Sequence, residues 1–324
     1  MKSGCYTAMV TPFDGATVDE TGLVHLADFQ IQNGISGLLA VGTTGESPTL
    51  DWEEHNQVVQ IYSQQAKGKC LCIAGAGSNN TQEALAATGH AVEAGADAVL
   101  LVDPYYNGPS SLEIRKEYLT PVAAAFPDLT IIPYVIPGRT GAQLLPEDLA
   151  LLYKDHPNVN TVKEATGNLD NMRRTRQCCG PDFTIFSGDD GLVYEMMADP
   201  DIAATGVISV VSNIAPKAMS DLVHLLAGKE IEQAKTLADA LRPLFGLVTV
   251  NTMEKSAYGE VLCRARNPLA LKTLMQLLGV PSGPCRPPLG KMSRAGLEVV
   301  VNIAKTVQAK NPEILAPLAA FFNL

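Results

Sequence analysis

Short apolar runs recur along the chain, each closed by a polar or glycine-rich break and followed by a stretch with helical spacing. The runs are residues 6–10, 37–41, 70–74, 98–102, 130–136, 161–163, 183–186 and 206–211. They lie about 20 to 35 residues apart, close to the length of one strand–helix unit. Helical patterns fall between them at 81–94, 146–153, 170–177 and 216–226. The first of these follows Asn80, a good N-cap, and the second opens on Pro146, where a missing N–H costs nothing. Eight such units predict an α/β fold, a (β/α)8 TIM barrel. A doubly wound open sheet is the main alternative. The barrel is preferred because polar and glycine punctuation falls repeatedly just after the strands, where a barrel gathers its site.

Beyond residue 211 the pattern stays helical, at 231–244, 254–278 and 293–308. Proline and glycine mark 279–288 as a loop. The chain therefore divides into a barrel at 1–228 and a C-terminal helical region at 229–324. The apolar segment 312–324 reads as a tail docked on the body in preference to an oligomer contact.

Composition narrows the function. Hydrophobic residues make up 46% of the 324 and charged residues 18%, which suits a large core and excludes a disordered chain. A formal net charge of -10 argues against nucleic acid as a partner. No run approaches the ~18 apolar residues of a membrane span, and the first residues lack a signal segment. The seven cysteines are odd in number and match no zinc spacing, so a reduced, cytoplasmic setting is expected. His25, His55, His90, His156 and His224 are scattered, and no metal site is expected.

The candidate chemistry sits at the strand ends. Lys163 closes a β-branched run and precedes Glu164-Ala165-Thr166-Gly167. An ammonium there either reaches water or, in a partly apolar site, loses its proton and attacks a ketone. Gly42-Thr43-Thr44-Gly45-Glu46-Ser47 is either a plain turn or a cradle whose N–H groups and hydroxyls hold a carboxylate. It is not a phosphate loop, since no lysine follows its second glycine. Asp103-Pro104-Tyr105-Tyr106-Asn107 offers a phenol for proton transfer, or simply a core and a rim tyrosine. Tyr134 could be a second such phenol, and Arg139 in Pro137-Gly138-Arg139-Thr140-Gly141 could fork onto a carboxylate. In Ser187-Gly188-Asp189-Asp190 the glycine gives room and the aspartates can cap the next helix.

Taken together and in this order, these motifs resemble the dihydrodipicolinate synthase and N-acetylneuraminate lyase family of class I aldolases. The resemblance runs from about Gly4 to Leu226, and the helical C-terminal part also fits. It implies that Lys163 forms a Schiff base with pyruvate and that Tyr134 is the acid/base phenol above it. Thr44 and Tyr106 would complete a proton relay, with Tyr106 reaching a neighbouring subunit's site. Thr43 and Thr44 would hold the pyruvate carboxylate, and Gly188 and Ile208 would line the pocket. Arg139 would bind the carboxylate of L-aspartate 4-semialdehyde. Arg139 and Thr43 point to the synthase branch over the sugar-acid lyases of the family. Val135 departs from the pattern, which usually has Asn after the tyrosine. The resemblance implies no cofactor and a homotetramer built as a dimer of dimers. It also implies a possible allosteric site for L-lysine at Ser47, Pro48, Trp52, His55, Asn79, Glu83 and Tyr105. The competing readings are another pyruvate-dependent 2-keto acid aldolase and a non-catalytic metabolite-binding relative.

Overall fold

A computed structural model describes residues 1–324. Eight parallel strands close on themselves: β1 (Gly4–Ala8), β2 (Gly37–Ala40), β3 (Leu71–Gly75), β4 (Ala98–Val102), β5 (Thr130–Val135), β6 (Thr161–Glu164), β7 (Thr184–Ser187) and β8 (Gly206–Ser209). β1 pairs with β2 on one side and β8 on the other, so no edge is left open. This is the expected (β/α)8 barrel.

Side chains alternate between two apolar layers, as strand geometry requires. The lumen is filled by a cluster of ten residues that includes Tyr6, Leu39, Ile73, Ile132, Tyr134, Phe186 and Ile208. Tyr6 needs a neighbour without a side chain, since a Cβ on Gly37 would sit 2.6 Å from its ring. The outer layer joins strands to helices in one cluster of 71 buried residues. Val135 belongs to that outer layer and is 2% exposed, so its departure from the family pattern faces the helices and not the lumen.

The helices begin where the sequence offers caps. Asp51 and Glu54 form a reciprocal capping box before Trp52–Ala66, and the Asn80 side chain accepts from Gln82 N–H at the start of Thr81–Ala94. Asp189 caps only a short 3-10 turn, accepting from Gly191 N–H, while Asp190 turns inward.

One sequence expectation fails. Residues 254–278 are not a single helix. They contain most of an antiparallel hairpin, β9 (Thr249–Ser256) and β10 (Gly259–Arg266), and a helix only at Leu269–Leu277. Pro268 has no N–H to continue a helix, and Ala257-Tyr258-Gly259 makes a tight reversal with Gly259 at φ 112°. The tail docks as expected: Phe321 and Phe322 stack on Phe29 of helix Glu20–Gln32, with ring centroids 5.3 and 5.4 Å away. No helix is long and apolar enough to cross a membrane.

Candidate active site

Register brings the two central groups together. Tyr134 of β5 pairs directly with Lys163 of β6, and both point into the mouth of the barrel. The Lys163 amine lies 4.3 Å from the centroid of the Tyr134 ring. Lys163 is 4% exposed and has no carboxylate at ion-pair distance. Burial lowers its pKa to about 7; the charge of Asp190 works the other way, and Arg139 adds to the lowering. Near neutrality a substantial share of the amine is therefore unprotonated and nucleophilic. Burial pushes the Tyr134 phenol up to about 12, which keeps it a proton donor; Arg139 and the Thr43 hydroxyl pull in the opposite direction.

Gly188 makes room for the lysine. A Cβ there would stand 2.8 Å from the Ala165 side chain and 3.2 Å from Lys163 Cε. Ile208 is 1% exposed in the lumen layer beneath. Asp190 is buried and accepts from Val210 N–H at 3.0 Å and Val211 N–H at 3.1 Å, which fixes its charge below the site.

The turn after β2 is held by its own backbone. Gly45, Glu46 and Ser47 donate to the carbonyls of Gly42 and Thr43. No backbone carbonyl accepts from the N–H groups of Thr43 or Thr44, so those two are the donors left for a carboxylate. The two threonines have different surroundings. The Thr43 hydroxyl is the one that lowers the pKa of the Tyr134 phenol. Thr44 is buried, and its hydroxyl accepts from Asn267 Nδ2 at 2.9 Å. Of the two hydroxyls expected near the phenol, that of Thr44 is engaged by Asn267, and that of Thr43, which shares the cavity of Arg139, is the one that acts on Tyr134.

Tyr106 stands apart from its own chain's site. It is 89% exposed, and its backbone sits in the left-handed region at φ 77°. Arg139 opens onto a cavity of about 240 Å³ lined also by Thr43, Val102, Tyr105 and Ile136. Its guanidinium donates to the Asn267 carbonyl at 3.2 Å.

An adjoining cavity of about 160 Å³ is lined by Ser47, Pro48, Trp52, His55, Glu83 and Tyr105 among others. Asn79, expected beside them, is not in its wall. The His55 Nε2 meets the Gly75 carbonyl at 2.9 Å, and its Nδ1 is buried without a partner. Ser47, Pro48, Gly77 and Tyr105 belong to both cavities.

Three residues of the site escaped the sequence reading. Asn267 and Arg266 lay inside the segment read as helix, and Pro268 was the signal that could have exposed that error. Lys272 is 1% exposed and reaches Glu46 Oε1 at 2.6 Å and the Thr11 carbonyl at 2.8 Å, behind the threonine turn. No group of three or more His, Cys, Asp or Glu side chains is placed to hold a metal ion.

Comparison with known proteins now bears on this geometry. The profile of the Dihydrodipicolinate synthetase family matches residues 1–307. A 4-hydroxy-tetrahydrodipicolinate synthase of Trichlorobacter lovleyi is 41% identical over 310 residues, covering 95% of this chain and 100% of that one. A solved synthase of the same name from Methylacidiphilum fumariolicum superposes with a TM-score of 0.87 at 33% identity, covering 98% of this chain and 100% of that one. A dihydrodipicolinate synthase from Cyanidioschyzon merolae, solved with lysine bound, gives a TM-score of 0.85 at 33% identity, covering 94% and 98%. With its motifs at the strand ends of one closed barrel and this likeness across nearly its whole length, the chain belongs to the dihydrodipicolinate synthetase family.

Proposed function

We propose that the chain is a lyase that condenses pyruvate with L-aspartate 4-semialdehyde to give 4-hydroxy-tetrahydrodipicolinate, a step toward lysine and diaminopimelate. The observation that carries this reading is the buried, unpaired amine of Lys163 beneath the Tyr134 ring. The neutral amine attacks C2 of pyruvate, and the carbinolamine loses water as the phenol donates a proton. Loss of a proton from C3 gives the enamine, whose carbon adds to the aldehyde. The amino group of the second substrate then attacks C2 and displaces Lys163, closing the ring. The sum is one water released, with no oxidant or reductant consumed.

The relay we assign is Tyr134, Thr43 and the Tyr106 of a neighbouring subunit. The exposure of Tyr106 supports that last role, and with it the homotetramer of paired dimers. Thr43 and Thr44 take the pyruvate carboxylate through their free N–H groups, and Arg139 takes the carboxylate of the aldehyde substrate. The barrel at 1–228 carries the chemistry, and the region 229–324 supports the threonine turn and the rim. The free thiols fit a cytoplasmic setting. The synthase names of the relatives favour this reading over another 2-keto acid aldolase.

Borohydride reduction in the presence of pyruvate tests it. A reduced adduct mapped to Lys163 is expected, and none on a folded Lys163→Ala variant. No adduct on the folded wild-type protein would overturn the reading.

A second ligand is supported by the smaller cavity. Its mixed lining of Glu83, His55, Tyr105 and Trp52 suits an amino acid with a cationic tail, and the Cyanidioschyzon merolae relative was solved with lysine bound. L-lysine is the effector we assign to it.

A further inference from the structure

The hairpin of β9 and β10 ends against the segment that carries Arg139. Its last residue, Arg266, donates through Nη1 and Nη2 to the Gly138 carbonyl at 3.2 Å. The next residue, Asn267, receives Arg139 on its carbonyl and holds Thr44 with its side chain. The two segments therefore exchange contacts: each guanidinium binds the carbonyl of the residue beside the other arginine. Both arginines are half-buried. Neither has a carboxylate at ion-pair distance, although the chain carries 34 Asp and Glu against 24 Lys and Arg.

Two guanidiniums side by side, partly removed from water and without an acid between them, repel each other. Burial is the larger cause of the lowered Arg139 pKa, and the charge of Arg266 adds to it. Such an arrangement is unfavourable in the empty protein and becomes favourable when an anion accepts from both forks. In the function proposed above, the pyruvate carboxylate is taken by Thr43 and Thr44, whose N–H groups are free of backbone partners. The anion left to satisfy the pair is the carboxylate of the second substrate.

We propose that Arg266 is a specificity-determining residue that acts with Arg139 as the second cation for the carboxylate of the aldehyde substrate. The hairpin delivers it. Outside its base the ribbon is largely exposed, with Tyr258 at its tip wholly so, and Met253, Val261 and Leu262 also in solvent. Only the last turn, where Arg266 and Asn267 meet Gly138 and Arg139, makes polar contact with the barrel rim.

This inference rests on the condensation proposed above, so turnover of pyruvate with L-aspartate 4-semialdehyde by the wild-type protein is measured first. Absent turnover removes both the reading and the inference. With turnover established, Arg266→Ala, Arg266→Lys and Arg266→Gln are compared. The alanine variant is expected to raise KM for the aldehyde about tenfold or more, while KM for pyruvate and borohydride trapping stay within about twofold. Lysine, which keeps the charge, should restore much of the loss. Glutamine, which keeps a donor for the Gly138 carbonyl but no charge, should not. An unchanged KM in the alanine variant would refute the proposal. So would rescue by glutamine, which would make Arg266 a clamp on the rim, or an equal rise in both KM values, which would mean that the mouth had deformed.

Discussion

Lys163 shows how one residue is prepared by its surroundings. Its ordinary pKa of 10.5 falls to about 7 because the lumen excludes water, and the charge of Asp190 offsets this only in part. Only the unprotonated amine attacks pyruvate. The sign follows: kcat/KM for pyruvate should fall about tenfold per pH unit below about 7 and level off above it. A profile of kcat/KM from pH 5.5 to 9.5 would check this. A limb that continued to rise toward pH 10 would mean that the amine is solvated and protonated like a surface lysine. At the same scale, Thr43 and Thr44 are equivalent in composition and differ in surroundings, the first half-buried and the second buried. One lowers the pKa of the phenol, and the other is held by Asn267.

At the level of elements, the threonine turn depends on a contact from far along the chain. Glu46 sits at φ 57°, a left-handed conformation that a glutamate adopts only when its surroundings hold it there. Lys272 on helix Leu269–Leu277 provides that hold, with 1% and 0% side-chain exposure for the two partners. Arg286 N–H adds a second bond to Glu46 at 2.9 Å. Lys272→Met leaves the carboxylate buried with its main partner gone, at a cost of ~3–5 kcal/mol. Denaturation followed by the fluorescence of Trp52, the one tryptophan, should show that loss. Adding Glu46→Gln should recover part of it. Equal stability of Lys272→Met and wild type would show that the pair does not secure the turn. The hairpin teaches the converse lesson. Its spacing of apolar and charged residues passes for helix until Pro268 and Gly259 are given their full weight.

The whole molecule brings two cavities into contact. The smaller one shares Ser47, Pro48, Gly77 and Tyr105 with the cavity that holds Arg139 and Thr43. A ligand that moves Tyr105 or the Ser47-Pro48 turn therefore acts on both. Linkage requires the effect to be reciprocal: if L-lysine weakens substrate binding, substrate weakens lysine binding by the same factor. Turnover is expected to fall in the presence of L-lysine, and Glu83→Ala should relieve the inhibition without changing turnover in its absence. Inhibition curves that stay flat into the millimolar range would remove the effector from this account.

The sequence by itself determined the barrel, because eight apolar runs at strand–helix spacing leave few ways to bury both faces of a parallel sheet. It also determined which residues stand at the strand ends, because alternation places Tyr134 inward and Val135 outward once the strand is known. Tertiary structure alone decided which of the two adjacent hydroxyls is engaged by Asn267, since that partner comes from far along the chain and no period predicts it. It alone placed Asn267, Arg266 and Lys272 at the site, more than 100 residues along the chain from Lys163. Closure of the barrel, and packing of the C-terminal region against its rim, create neighbours that no local pattern contains.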